Sequence, residues 1–168
     1  MTAESVQRGR ASASDRPSPH EVRLVPGVSL PTIDPQDLIE RYIGVWNEPD
    51  PEVRRKTVDE LWAQDGLHVL RPPQQMRDTA VGLGFTTAVL EARGHDELHT
   101  RVTRAYDDFV APGTYVFRIQ EPAQRLRDVI TFRWESFHTG EGRATGGGRE
   151  FLVLDEDGRI RFDYQFVD

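Results

Sequence analysis

Apolar residues recur at helical spacing through the first part of this chain and at a spacing of two from about Leu98 onward. That order of periods narrows the fold more than any single motif does. Asp34–Pro35 puts a capping side chain before a proline at the first helical position, and Leu38, Ile39, Tyr42, Ile43, Val45 and Trp46 follow on one stripe. Asp50–Pro51 repeats the start, with Val53, Val58, Leu61 and Trp62 on a second stripe that stops before Gly66. "GLHVL" reads as a short strand closed by Pro72–Pro73; a polar loop then leads to "GFTTAVLEARG", a third helix closed by Gly94. Strand-like runs follow near 98–110, 114–120, 127–138, 149–155 and 159–167, with "APG", "EPAQ", "TGEGRATGGG" and "DEDG" between them. Helices first and antiparallel strands after them argue an α+β domain with helices laid on one face of a curved sheet.

Residues 1–31 are polar and proline-containing, and too little of that stretch is apolar to offset the entropy of ordering it. They are expected to form a flexible tail ahead of a single domain at 32–168, although residues 22–30 carry enough apolar side chains to dock as an arm. A net charge of −7 with no basic, aromatic-interleaved cluster argues against a nucleic-acid partner. The absence of cysteine removes disulfides, thiolate chemistry and Cys-bearing zinc sites. No run approaches the roughly 18 apolar residues of a membrane span, and the N-terminus has no secretory apolar core. A cytoplasmic protein is expected.

Familiar catalytic signatures fail on context. "HDELH" at His95–His99 has the spacing of a zinc helix, but it falls where a loop should enter a strand, and no metal is expected. "GLGF" and "TGGG" read as a helix lead-in and a hairpin turn, and no G-x-S-x-G elbow exists. What remains is polar residues inside apolar elements. Tyr42 lies on the buried stripe of the first helix, where its hydroxyl must find a partner, and His68 interrupts the first strand. In "VITFRWESF", Ile130, Phe132 and Trp134 share one face while Arg133 and Glu135 share the other, either as a solvated charge pair or as the floor of a pocket. In the last strand, Asp163 and Gln165 alternate with Phe162, Tyr164 and Phe166, which makes the aromatics the expected core.

The helical hairpin "DLIERYIGVWNEPD", the strand "DGLHVLRPP", a Gly-led third helix, "TFRWE" and the terminal "REFLVLDEDGRIRFDYQF" together resemble the nuclear-transport-factor-2-like superfamily over residues 34–168. Within it the chain most resembles the SnoaL-like proteins, which are polyketide cyclases, with ketosteroid isomerases and limonene-type epoxide hydrolases as cousins. The resemblance implies a cone, in which a strongly curved mixed sheet wraps three helices around a central pocket, and a homodimer. It implies cofactor-independent acid–base chemistry on a small apolar or polyketide-like molecule.

Arg133 and Glu135 match the Arg-x-Asp that activates water in the epoxide hydrolases, and His68 matches their pocket Tyr. Their second carboxylate falls near Gln165 or Asp163. Tyr42 matches the tyrosine with which ketosteroid isomerases hold a dienolate oxygen. The place of their general base is taken by Leu70 and Arg71, and their protonated acid falls near Arg149 or Glu150. The expected catalytic groups are Glu135, His68 and Arg133, with Tyr42, Trp46, Asp163 and Gln165 binding substrate. A non-catalytic ligand-binding or dimerisation module and an epoxide hydrolase are the alternatives, and the latter requires Asp163 and Glu135 to share one cavity.

Overall fold

A computed structural model describes residues 32–86 and 88–168; the expected N-terminal tail, residues 1–31, lies outside the described residues. Helix α1 (Pro35–Asn47) and helix α2 (Pro51–Leu61) start as the Asp–Pro signals require. The carboxylates of Asp34 and Asp50 each accept two backbone N–H groups of the first turn. Strand β1 (Trp62–Arg71) follows directly and ends at Pro72–Pro73. The sheet has six strands in the order β2-β1-β6-β5-β4-β3, with β2 (Leu90–Arg93), β3 (Tyr115–Leu126), β4 (Val129–His138), β5 (Arg143–Leu154) and β6 (Ile160–Val167). All pairs are antiparallel except β1 with β6, so the sheet is mixed, and it is strongly curved. Register shifts in β3 on either side of Glu121 carry "EPAQ" through one long strand, as bulges absorb the proline.

The middle of the chain departs from its sequence reading. Helix α3 (Gln74–Gly82) occupies the expected polar loop, and the segment expected to be a third helix holds β2 instead. Gly94 opens a helix rather than closing one: at φ +71° it makes the tight exit from β2, and helix α4 (Gly94–Ala105) begins there. The expected strand near 98–110 is therefore α4 and a π-helical turn at Tyr106–Val110. Leu98 and Val102, one turn apart, point into the core, while Asp96 and Glu97 sit in the first turn and Arg104 in the last, in line with the helix dipole. Glu97 reaches back to accept the Arg93 backbone N–H at 2.8 Å.

The core lies between the concave sheet face and the helices. Ile39 and Tyr42 of α1, Leu98 and Val102 of α4, and Ile130, Phe132 and Trp134 of β4 meet there. In β6 the expected alternation is reversed. Asp163 is buried, whereas Tyr164 and Phe166 are exposed on the convex face, where Phe166 packs edge-on against Phe151. Both faces of this sheet carry apolar residues, so period alone could not choose the inner one. Among the described residues no helix is long and apolar enough to cross a membrane.

Candidate functional site

Four polar side chains converge on the concave face, and each of them is almost wholly removed from solvent: Tyr42 at 1% exposure, and His68, Glu150 and Asp163 at 0%. Strand pairing brings them together. His68 on β1 is the register partner of Asp163 on β6, and Gln165, two residues further along β6, is the partner of Glu150 on β5. Asp163 and Glu150 are thus diagonal neighbours on one face. The Tyr42 hydroxyl donates to Asp163 Oδ2 at 3.0 Å across 121 residues of sequence. Asp163 Oδ1 and both Glu150 carboxyl oxygens make no close hydrogen bond to protein among the described residues.

Removing two carboxyls from water disfavours charging either one. Burial, followed by the nearby charge of Asp163, pushes Glu150 well above the usual carboxyl range. Burial raises Asp163 to about 7, against the opposing pull of the polar groups of Glu150, Tyr42 and Trp62 near it and of the Arg101 charge. Burial is also the main reason that the Tyr42 hydroxyl stays protonated well beyond its ordinary range. His68 moves the other way, to about 3, through burial and the neighbouring Arg101 guanidinium. Both carboxyls are thus held towards their protonated forms, while burial and Arg101 hold His68 neutral.

A cavity of about 530 Å³ opens onto this cluster. Tyr42, Glu150 and Gln165 form its polar floor, and Ile43, Trp46, Phe117 and Trp134 its apolar walls. Asp163 does not line the cavity itself. Arg101 of α4 reaches the cavity wall, and the wider π-helical turn beyond it carries Asp108 and Phe109 to the mouth. Gly148 lets Trp134 lie close: a Cβ there would come within 2.9 Å of the indole. "TGGG" is thus part of a strand that packs against an aromatic wall.

The arginine and glutamate of "TFRWE" do not reach this site. With Phe132 and Trp134 turned inward, Arg133 and Glu135 project from the convex face. Arg133 is paired there with Gln120 and Asp168, and Glu135 stands across from Arg118 on β3. The expectation that both groups occupy a sheltered hollow is corrected, and with it their assignment as catalytic groups and the cavity shared by Glu135 and Asp163. Glu135→Gln is expected to change stability by no more than about 0.5 kcal/mol in urea unfolding, as for a surface position. Of the expected residues, Tyr42, Trp46, His68, Asp163 and Gln165 do come together.

Glu150 and Arg101 are the residues that sequence reasoning undervalued. Glu150 is the lone carboxylate in the apolar run "EFLVL", and Arg101 lies on a helix that had been read as a strand. His95 and His99 are helical after all, but His95 meets the Trp62 carbonyl at 3.0 Å and Asp59 at 3.1 Å. Among the described residues no three potential metal ligands gather.

No family model matches the chain, and no curated protein matches it. Solved structures do. A SnoaL-like protein from Agrobacterium tumefaciens that carries a provisional isomerase label superposes with a TM-score of 0.62 at 22% identity, over 79% of this chain and 95% of that one. An NTF2-like protein of unknown function from Mesorhizobium loti gives 0.54 at 16% identity, over 84% and 99%. A SnoaL-like protein of unknown function from Burkholderia thailandensis gives 0.53 at 12%, over 79% and 93%. The curved mixed sheet, the helices in its concavity and these superpositions agree: the chain has the NTF2-like cone fold.

Proposed function

We propose that this protein is a cofactor-independent acid–base catalyst acting on a small, largely apolar molecule that carries a carbonyl next to an acidic C–H bond. The observation that carries this reading is the buried Glu150–Asp163 pair beneath a cavity large enough for such a molecule. Two adjacent carboxyls out of water share a proton, and the pair titrates as a unit. When Asp163 holds the proton, Glu150 faces the cavity as a carboxylate and can remove a proton from carbon. When Glu150 holds it, the same group can return it at another carbon or donate to oxygen. Tyr42 contributes a hydroxyl that is held by Asp163 while that group is charged and is released towards a developing oxyanion when it is neutral. Net isomerisation, cyclisation or dehydration all follow from these two half-steps.

The test is deuterium wash-in. A panel of cyclic ketones and enones sized to the cavity is incubated with the protein in D2O and followed by proton NMR. Exchange at the carbon next to the carbonyl is expected for at least one ring system, faster than the buffer rate and saturable. A ligand that protects the protein thermally yet shows no exchange above buffer would favour the non-catalytic binding module.

A further inference from the structure

Arg101 raises a question that the carboxyl pair does not answer. Its guanidinium spans from α4 to the edge of the sheet, with Nη2 donating to the Glu91 carbonyl at 3.0 Å and Nη1 lying 3.2 Å from His68 Nδ1. Arginine has donors and no acceptor, so Nδ1 must present its lone pair. A neutral His68 then carries its proton on Nε2, an atom buried and without a close partner among the described residues. Gln165 lies on the same face of β6 two residues beyond Asp163, diagonal to His68 and directly across from Glu150.

An amide has one acceptor end and one donor end. If Nε2–H points to the Gln165 carbonyl oxygen, the Gln165 NH2 is left for Glu150, and a donor at Glu150 supports its charged form. If His68 took the other tautomer, Gln165 would turn over and present its oxygen to Glu150. That arrangement would hold the proton on Glu150 and deny the cavity a base.

We propose that Arg101 is a positioning residue that acts through His68 and Gln165: its one-way donation fixes the His68 tautomer, and the tautomer turns the donor end of Gln165 towards Glu150. This rests on the carboxyl pair being the working site. The titratable and polar groups around His68 are Arg101 from α4, Asp163 and Gln165 from β6, Glu150 from β5, and Tyr42 and Trp46 from α1. Arg101 is the cation among them, and the guanidinium also adds a through-space attraction to Asp163.

The experiment reads the tautomer directly, with no substrate. Side-chain nitrogen NMR of the full chain is expected to show His68 as a single neutral form protonated at Nε2, not titrating between pH 5 and 8. Arg101→Met, which keeps the stem and removes the donors, is expected to lose that single-tautomer signature. Arg101→Lys, still donor-only, is expected to keep most of it. A wild-type His68 protonated at Nδ1, or a tautomer unmoved in Arg101→Met, overturns the proposal. The second half is read from the carboxyl carbon of Glu150. Arg101→Met should shift its titration midpoint upward, and in a Gln165→Leu background that shift should shrink to what the lost charge alone gives at Asp163. An equal shift in both backgrounds means that Arg101 acts by charge and not through the amide, which also overturns it. Absence of deuterium exchange in the wild type would sink the catalytic reading and leave these NMR outcomes to decide this one.

Discussion

Glu150→Gln and Asp163→Asn are each expected to lower exchange or turnover by about 10²–10⁴-fold, the range for a single acid–base group, and at the same time to raise the melting temperature at pH 8. The two effects share one cause. Both carboxyls hold protons more tightly in the folded chain than in the unfolded one, so stability falls as pH rises. For Asp163 the decline begins near 3.8 and is complete once pH has passed about 7. A displacement of that size corresponds to at most about 4 kcal/mol, and proton sharing with Glu150 makes the measurable part smaller. Asparagine keeps an oxygen for the Tyr42 hydroxyl and removes the charge, so the variant gives up chemistry and sheds the alkaline penalty.

His68 works in the opposite direction. Its folded form resists protonation, so its contribution is present above pH 6.5 and is lost as pH drops towards about 3. The two windows overlap, so thermal melts of the wild type against pH should peak within the overlap, and Asp163→Asn should move the peak to higher pH. A variant less stable than wild type at pH 8, or one that keeps full turnover, contradicts the assignment.

The second large effect is expected at Gly148. A Cβ at this position overlaps the Phe166 carbonyl on β6 and presses within 2.9 Å of Trp134 Cζ2. Gly148→Val therefore has to part the β5–β6 ladder or displace the indole that walls the cavity. Overpacking of this kind costs about 3 kcal/mol, measurable as a lowered urea midpoint, and ligand protection should be lost as well. Gly44 supplies the contrast: it lies mid-helix on α1 with nothing within 4 Å of its would-be Cβ. Gly44→Ala should stabilise by about 0.5–1 kcal/mol. If the two substitutions behave alike, the close strand packing described here is wrong.

The parts of this molecule that were legible beforehand are those with local chemical signatures. Asp34–Pro35 and Asp50–Pro51 specify two helix starts by capping alone, and the terminal strands follow from β-branched and aromatic runs bounded by turns. Gly94 was misread because a positive-φ glycine serves equally well after a helix and before one. The helical cue that settles it, Leu98 and Val102 one turn apart with acids ahead, overlaps a window that also reads as strand. That error hid Arg101.

Sequence favours Glu135 over Glu150 for a different reason. The family resemblance pointed to the carboxylate two places after Arg133, and in a sheet apolar on both sides no pattern contradicted it. Only the packing of Phe132 and Trp134 against Tyr42 decides the facing. Tyr42 and His68 are legible because a polar group inside an apolar element stands out whatever the register, whereas Asp163 is reached only through the resemblance, since alternation with Phe162 and Tyr164 places it on the wet face.

The parallel seam between β1 and β6 has a consequence for how the buried cluster is assembled. β6 is threaded between β1 and β5, and its Asp163 meets a hydroxyl 121 residues away. Contacts of such separation are slow to close and contribute nothing until nearly everything else is in place. The proposed pair is complete only once β6 is seated between β1 and β5, so a count of titrating pairs is expected to equal the number of chains that have finished folding.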